Sequence, residues 1–393
     1  MTRFLARRDG MLRRAAVAPF TVICGVVVLG MAALAIDASM LWVTRAELQR
    51  TADAAALAGA RALINDQRIA DGGASEPVFT DTRESVANYV AGNPALQRTL
   101  TIDLNSGNGS GGDIVLGYLS NPDDQSQAMD LTQPAEFNAV GVQARMDAER
   151  NGSITLFFAR LFGNSNTDGL ATATAAFRDD VTGFRADERT GNAELMPIAL
   201  REQYWQLFRA GAVPSGDDYT YNSDSGAITA GGDGIFELNL YPGAGAGQLP
   251  PGNFGTVDIG SPNNSTADIS RQIRYGVNEA DLAYFGGEFT LGSDGYIMVN
   301  GDTGLSAAIK DDLEAVRGMP RVIPLFDEVS GNGNNSMFRV VGFAGIRIMY
   351  VRLTGAMRSK QVIVQPCYVV SDNVITGGNN HSWFVVKPPY LVR

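Results

Sequence analysis

The sequence predicts an α+β fold, in which a long N-terminal transmembrane and stalk helix carries a mixed α+β head and a β-rich C-terminal domain. Three observations carry this reading. Residues 15–36 form one uncharged apolar run, a helical pattern continues beyond it without a break, and strand-like alternation recurs from residue 99 onward.

The apolar run "AAVAPFTVICGVVVLGMAALAI" comes first. At about 1.5 Å per residue its length matches a hydrocarbon core of roughly 30 Å. Arg3, Arg7, Arg8, Arg13 and Arg14 crowd its N-terminal side against Asp9 alone, whereas Arg45 and Arg50 balance Asp37 and Glu47 beyond it. The positive-inside rule makes residues 1–14 a cytoplasmic basic tail, 15–36 a single-pass transmembrane helix, and the bulk of the chain extracytoplasmic. Pro19 falls near the start of the run, where a missing N–H does least harm. Ala33-Leu34-Ala35 has the shape of a signal-peptide cleavage site. The run is longer than a signal core, however, and the helix pattern passes through the site, so a retained anchor is expected.

Residues 37–66 read as an extracytoplasmic stalk. Leu41, Leu48, Ala55 and Ala62 recur every seven residues, and Arg45, Gln49 and Asp53 form a polar stripe elsewhere. Ala52, Ala56 and Ala60 fall four apart and leave a flat face that another backbone can approach closely. That face can pack on the protein's own domain, on a neighbouring helix, or on both.

Arg14-Ala-Ala-Val-Ala-Pro, the apolar run, Ala35-Ile-Asp and "ELQRTADAAALAGARAL" together resemble the N-terminal segment of TadE/TadG-like Flp pilus-assembly proteins, over about residues 13–63. "DIVLGYL", "EFNAVGVQARM", "ITLFFARLFG" and "ATATAAF" are more diffusely similar to that family's small outer domain. The resemblance implies a pilin-like head and a place in the bacterial inner membrane. It also implies partners among other pilus-assembly or pilin-like envelope proteins, besides the lipid bilayer. Two departures stand out. Gly10 is followed by Met11-Leu12-Arg13-Arg14-Ala15, without the glutamate of processed pilins. Asp37-Ala-Ser39-Met-Leu41 lacks the second serine of the D-x-S-x-S metal motif carried by some relatives.

The head is assigned to residues 67–180. Gly72, Gly73 and Pro77 make a break, and "DTRESVANYVAG" (81–92) reads as a helix capped by Asp81 or Thr82. "TLTIDL" and "DIVLGYL" read as a hairpin, "FNAVGVQARM" as a strand, "SITLFFARLFG" as a buried helix and "GLATATAAF" as a last strand. The β-rich domain is assigned to 181–393. Its helices are expected at 192–210 (interrupted at Pro197), 266–275 and 303–317 (capped by Thr303). A meander through "RVIPLF", "MFRVVGFAGIRIMYVRL", "KQVIVQPCYVV" and "SWFVVK" follows.

The chemistry-bearing residues are sparse. The net charge of −11 divides into +4 for residues 1–36 and −15 for the remainder, which argues against nucleic acid as a partner. His381 is the one histidine, leaving little for zinc or a histidine triad. Cys24 and Cys367 are placed too differently for a disulfide framework. Gly107–Gly112 fits G-x-G-x-x-G, but a strand pattern follows where a dinucleotide site needs a helix. "DDYTYNSDSG" (217–226) is oxygen-rich without the spacing of a calcium loop. No cofactor, metal or catalytic residue is expected. The reading is a non-enzymatic membrane protein of Flp/Tad pilus assembly or anchoring. The alternatives are an anchored adhesin or carbohydrate-binding protein, using Trp205, Tyr219 and Tyr221, and an envelope hydrolase.

Overall fold

The computed structural model describes residues 9–392 except 214, 243–247, 250–253, 262–263, 303–305, 332–335, 357–358 and 379–381. Arg3, Arg7, Arg8, the Thr303 cap and His381 lie outside the described residues, as do the side chains of Arg13 and Arg14.

Helix α1 runs unbroken from Asp9 to Leu63, 55 residues with Pro19 inside it, or about 80 Å at the standard rise. Its outer half is the core of the head. Leu48, Ala52, Ala55, Ala56, Ala60 and Leu63 are completely buried. They pack with Val86 and Val90 of α2 (Glu76–Gly92) and with one face of a sheet. That sheet contains β1 (Ile114–Gly117), β2 (Ala139–Met146) and β3 (Gly169–Arg178), antiparallel in that order. Alternate residues Val140, Val142, Ala144 and Met146 of β2 are buried, as period-two geometry requires. They sit opposite small residues of β3, with Val140 paired to Ala175, Val142 to Ala173 and Ala144 to Ala171. Alanine on both helix and sheet lets the two backbones come close.

The chain then builds a second β structure from β4 (Ile198–Arg201), β5 (Leu238–Pro242), β6 (Phe254–Val257), β7 (Ile297–Asp302), β8 (Pro320–Ser330), β9 (Ser336–Arg352) and β10 (Gln361–Pro366). With the short strand Gln248–Leu249 these form an eight-stranded sheet. Because β8 pairs with both β4 and β9, the strands β9-β7-β6-β4-β8 close a ring. Phe326 and Phe338 meet edge to face in its core, with centroids 4.9 Å apart. Helices α3 (Glu202–Arg209) and α4 (Thr266–Tyr275) bury Trp205, Phe208 and Ile273 in the neighbouring core. The chain finally returns to the head, where β11 (Val369–Val370) and β12 (Val385–Leu391) extend its sheet in the order β1-β2-β3-β12-β11.

An α+β fold with a long apolar N-terminal helix is therefore present, and α4 spans the residues expected, closed by a Ser265/Asp268 capping box. Several local expectations need correction. Residues 154–162 are not a buried helix: they form a two-residue strand, Ile154–Thr155, and a 3-10 turn, Ala159–Phe162, with Phe157, Leu161 and Phe162 exposed. "TLTIDL" is not a strand, because side chains occupy the edge of β1 in its place. The Asn108 amide both donates to the Leu116 carbonyl (2.8 Å) and accepts from its N–H (2.9 Å). Helix α2 starts at Glu76 rather than 81, with Pro77 in its first turn, where no helical N–H bond is lost. The segment 192–210 is helical only in α3; Leu195 to Leu200 are buried in succession, which suits an extended segment covered on both sides. The helix expected at 303–317 shortens to Lys310–Ala315 behind a 3-10 turn that Ser306 caps.

Gly59 marks the closest helix–sheet approach. A Cβ there would stand 2.6 Å from Val86 Cγ2 and 2.9 Å from Val140 Cγ1. Alanine is intrinsically the better helix residue by about 1 kcal/mol, while overpacking costs about 1–3 kcal/mol. The valine methyls are short and fixed, so packing wins and Gly59→Ala is expected to lower the melting temperature in detergent micelles. Ala56→Leu should lower it further, whereas Arg45→Leu, on the exposed stripe, should stay within about 0.5 kcal/mol of the parent. Equal melting of all three would refute the close-packing account.

Candidate functional site

Two halves of α1 differ in what surrounds them. From Phe20 to Ile36 the large apolar side chains are exposed along the whole stretch. This helix is long and apolar enough to cross a membrane, and none of its most apolar window is covered by protein. From Thr44 onward one face of the helix is buried in the head.

Asp37 sits at the change-over, one residue beyond the apolar run, and is almost fully buried. Its Oδ1 accepts from the Phe157 N–H (2.9 Å), and its Oδ2 from those of Phe158 (3.0 Å) and Ala159 (2.7 Å). These three donors leave residues 157–159 no local carbonyl partner to seek, which is why the segment turns tightly instead of forming the expected helix. Farther up, Glu47 Oε2 accepts the Leu96 N–H at 2.9 Å, and Gln49 Nε2 reaches Asp53 (2.8 Å) and the Thr172 carbonyl (3.0 Å). Ala52, Ala56 and Ala60 are buried in the hydrophobic core of the head.

The outer end of α1 is tied to the second β structure. Asp66 accepts from Arg347 Nη2 at 3.0 Å and from the Tyr368 N–H at 2.7 Å. Arg347 is buried, donates also to the Gly318 carbonyl, and lies 3.6 Å from the Tyr221 ring centroid. Arg68 donates to the carbonyls of Leu63, Gly73, Ala135 and Phe137. A cavity of about 810 Å³ opens beside it, walled by Arg68, Glu202, Arg209, Tyr368 and Trp383. Desolvation, reinforced by Asp327, holds the Glu202 carboxyl above its usual range.

The Glu237 carboxyl is strongly perturbed. Burial pushes it up to about 7, the N–H groups of Asp218 and Tyr219 oppose the shift, and nearby Asp217 and Asp233 add to it. Among the described residues no three His, Cys, Asp or Glu side chains are grouped to hold a metal. Cys24 and Cys367 are both free thiols.

The aromatic residues expected to contact sugar are otherwise engaged. Trp205 is completely buried, Tyr219 stacks on Tyr350 at 15° between ring planes, and Tyr221 lies beneath Arg347. Asp217 accepts the N–H groups of Asp233 and Gly234, closing the hairpin loop on itself. The loop at Gly107–Gly112 leads into β1, not a helix. Sequence reasoning missed Asp37 and Asp66. The signal was present for the first, as a lone acid directly after an apolar run; for the second there was none.

Residues 15–62 match the Tad family, described as Flp pilus-assembly TadE/G-like. No curated protein and no solved structure matches the chain. The matched segment coincides with the two-part helix α1, and together they support a Tad-related membrane protein.

Two outcomes follow from this geometry. Asp37→Ala removes the acceptor of three N–H donors. Amide exchange across 157–163 should become faster, with α2 unaffected. Unchanged exchange would deny Asp37 its role. For Glu237 the folded value lies above the ordinary one, so between about 4.5 and about 7 the native state holds a proton that the unfolded chain has released. Stability should therefore fall as pH rises through that window. Glu237→Gln should flatten the dependence of melting temperature on pH and raise stability above pH 7.

Proposed function

We propose that the protein is a non-enzymatic, single-pass component of Flp/Tad pilus assembly or anchoring in the bacterial inner membrane, with residues 1–14 cytoplasmic and the head and β-rich domain outside. The observation that carries the reading is the two-part helix α1, bare and apolar to Ile36 and built into a folded head beyond Thr44, over the segment that matches the Tad family. A helix of this kind fixes the height and orientation of its head above the lipid, because no hinge separates the two halves.

The arginine-rich flank supports the orientation, since basic residues are retained on the cytoplasmic side. The non-enzymatic reading is supported by how the polar groups near the cavity are used. Arg68 is spent on four backbone carbonyls, and Arg209 lies over the Phe384 ring 5.0 Å from its centroid. Such groups hold two parts of the chain together. Their partners in turn are expected to be other envelope proteins of the pilus system, and nucleic acid is not proposed as one.

A reporter that is active only outside the cytoplasm, fused after Arg393, should be active in an envelope-targeted host. Replacing Arg3, Arg7, Arg8, Arg13 and Arg14 together by glutamine should reduce that activity. An inactive parental fusion would reverse the proposed topology.

A further inference from the structure

We infer that the turn 157–162 is a second membrane contact: an apolar wedge, held at the lipid boundary by Asp37, that inserts into the interfacial layer of the same bilayer that α1 crosses. This rests on reading residues 15–36 as a membrane span.

The side chains of Phe157, Leu161 and Phe162 are 59%, 76% and 82% exposed, and they are contributed by one short turn. In a folded head such a cluster calls for an occupant. Its position says which. The backbone N–H groups of Phe157, Phe158 and Ala159 lie within 3.0 Å of the Asp37 carboxylate, and Asp37 directly follows the apolar run. The turn therefore sits at the level where the exposed apolar surface of α1 ends, and its own apolar surface continues that band sideways. Trp42, 76% exposed and a little over one helical turn beyond Asp37, lies in the zone where amphipathic aromatic rings favour the headgroup layer. Arg160 is exposed between Phe157 and Leu161, placed to meet lipid phosphate while its neighbours enter the acyl boundary. Asp37 has its charge satisfied by three N–H groups instead of water, which suits a site that lipid partly surrounds.

The occupant is thus the phospholipid interface, not a neighbouring protein. Spin labels placed in the full-length protein test this, in nanodiscs of phosphatidylethanolamine and phosphatidylglycerol. With Cys24→Ala as background, and Cys367 inaccessible through burial, labels are attached at Phe162→Cys, at Gly25→Cys within the span and at Arg61→Cys. Arg61 is exposed and stands roughly 36 Å farther along α1 than Asp37. Collision with oxygen, which prefers lipid, is compared with collision with a water-soluble nickel chelate. The label at 162 should collide with nickel roughly five-fold less than the one at 61, while remaining open to oxygen, as an interfacial site does.

Nickel collision at 162 equal to that at 61, with 25 still in lipid, would overturn the wedge and leave the span intact. Nickel reaching position 25 would overturn both. Protection of 162 from oxygen and nickel alike would mean that protein covers the turn, and would also overturn it. Leu161→Asp with Phe162→Asp, read by a label at Phe157→Cys, should raise nickel collision to the level at 61. The melting temperature of that variant in detergent should be unchanged, because the replaced side chains are exposed.

Discussion

Everything in this molecule depends on one packing contact, the small-residue face of α1 against the sheet of the head. A sheet with Val140, Val142 and Ala144 on one face must bury that face, and among the described elements α1 and α2 are what covers it. The helix serves here as core material, not as a tether. Alanines contribute little burial individually, so the contact gains through closeness. Ala52, Ala56, Gly59 and Ala60 allow the helix to approach until Val86 and Val140 touch its backbone surface. The same residues that make the stalk smooth make it inseparable from the head.

That fusion constrains the second β structure as well. The chain leaves the head after β3, builds the eight-stranded sheet, and comes back to place β12 beside β3. The first and last described strands thus belong to one sheet. Asp66 adds a polar tie, accepting from Arg347 of β9 and from the Tyr368 N–H just past the outer end of α1. Arg347 is buried while Asp66 is only half-buried, so removing Asp66 would leave a buried charge without this partner. The second β structure is thus tied to the head by a sheet ladder and a charge pair.

How much of this was legible follows from where each signal lies. The long helix, α4 and the strands of the tail are encoded by local periodicity, and the sequence reading finds them. Failures fall where a side chain supplies what a neighbouring backbone would otherwise supply. The Phe157–Phe162 segment has the apolar composition of a buried helix, but its N–H groups are taken by a carboxylate 120 residues earlier. "TLTIDL" alternates like a strand, yet the side chain of Asn108 fills the ladder position at Leu116. Trp205 is expected as a surface aromatic, and its complete burial places it in one core with strand residues more than 100 positions later. The long-range couplings among these have no local trace.

The Asp37 contact shows why long-range coupling is placed where it is. A carboxylate next to lipid loses part of its hydration and is unfavourable unless hydrogen-bond donors replace the water. The backbone of residues 157–159 supplies three donors, and in exchange their N–H groups, which the 3-10 turn leaves unsatisfied, obtain an acceptor. Neither partner is well placed alone, since one is a buried charge and the other a set of open amides. Brought together, they satisfy one another and hold the head against the end of the apolar run. The requirement that no buried polar group be left bare thereby fixes where the folded head sits on the helix.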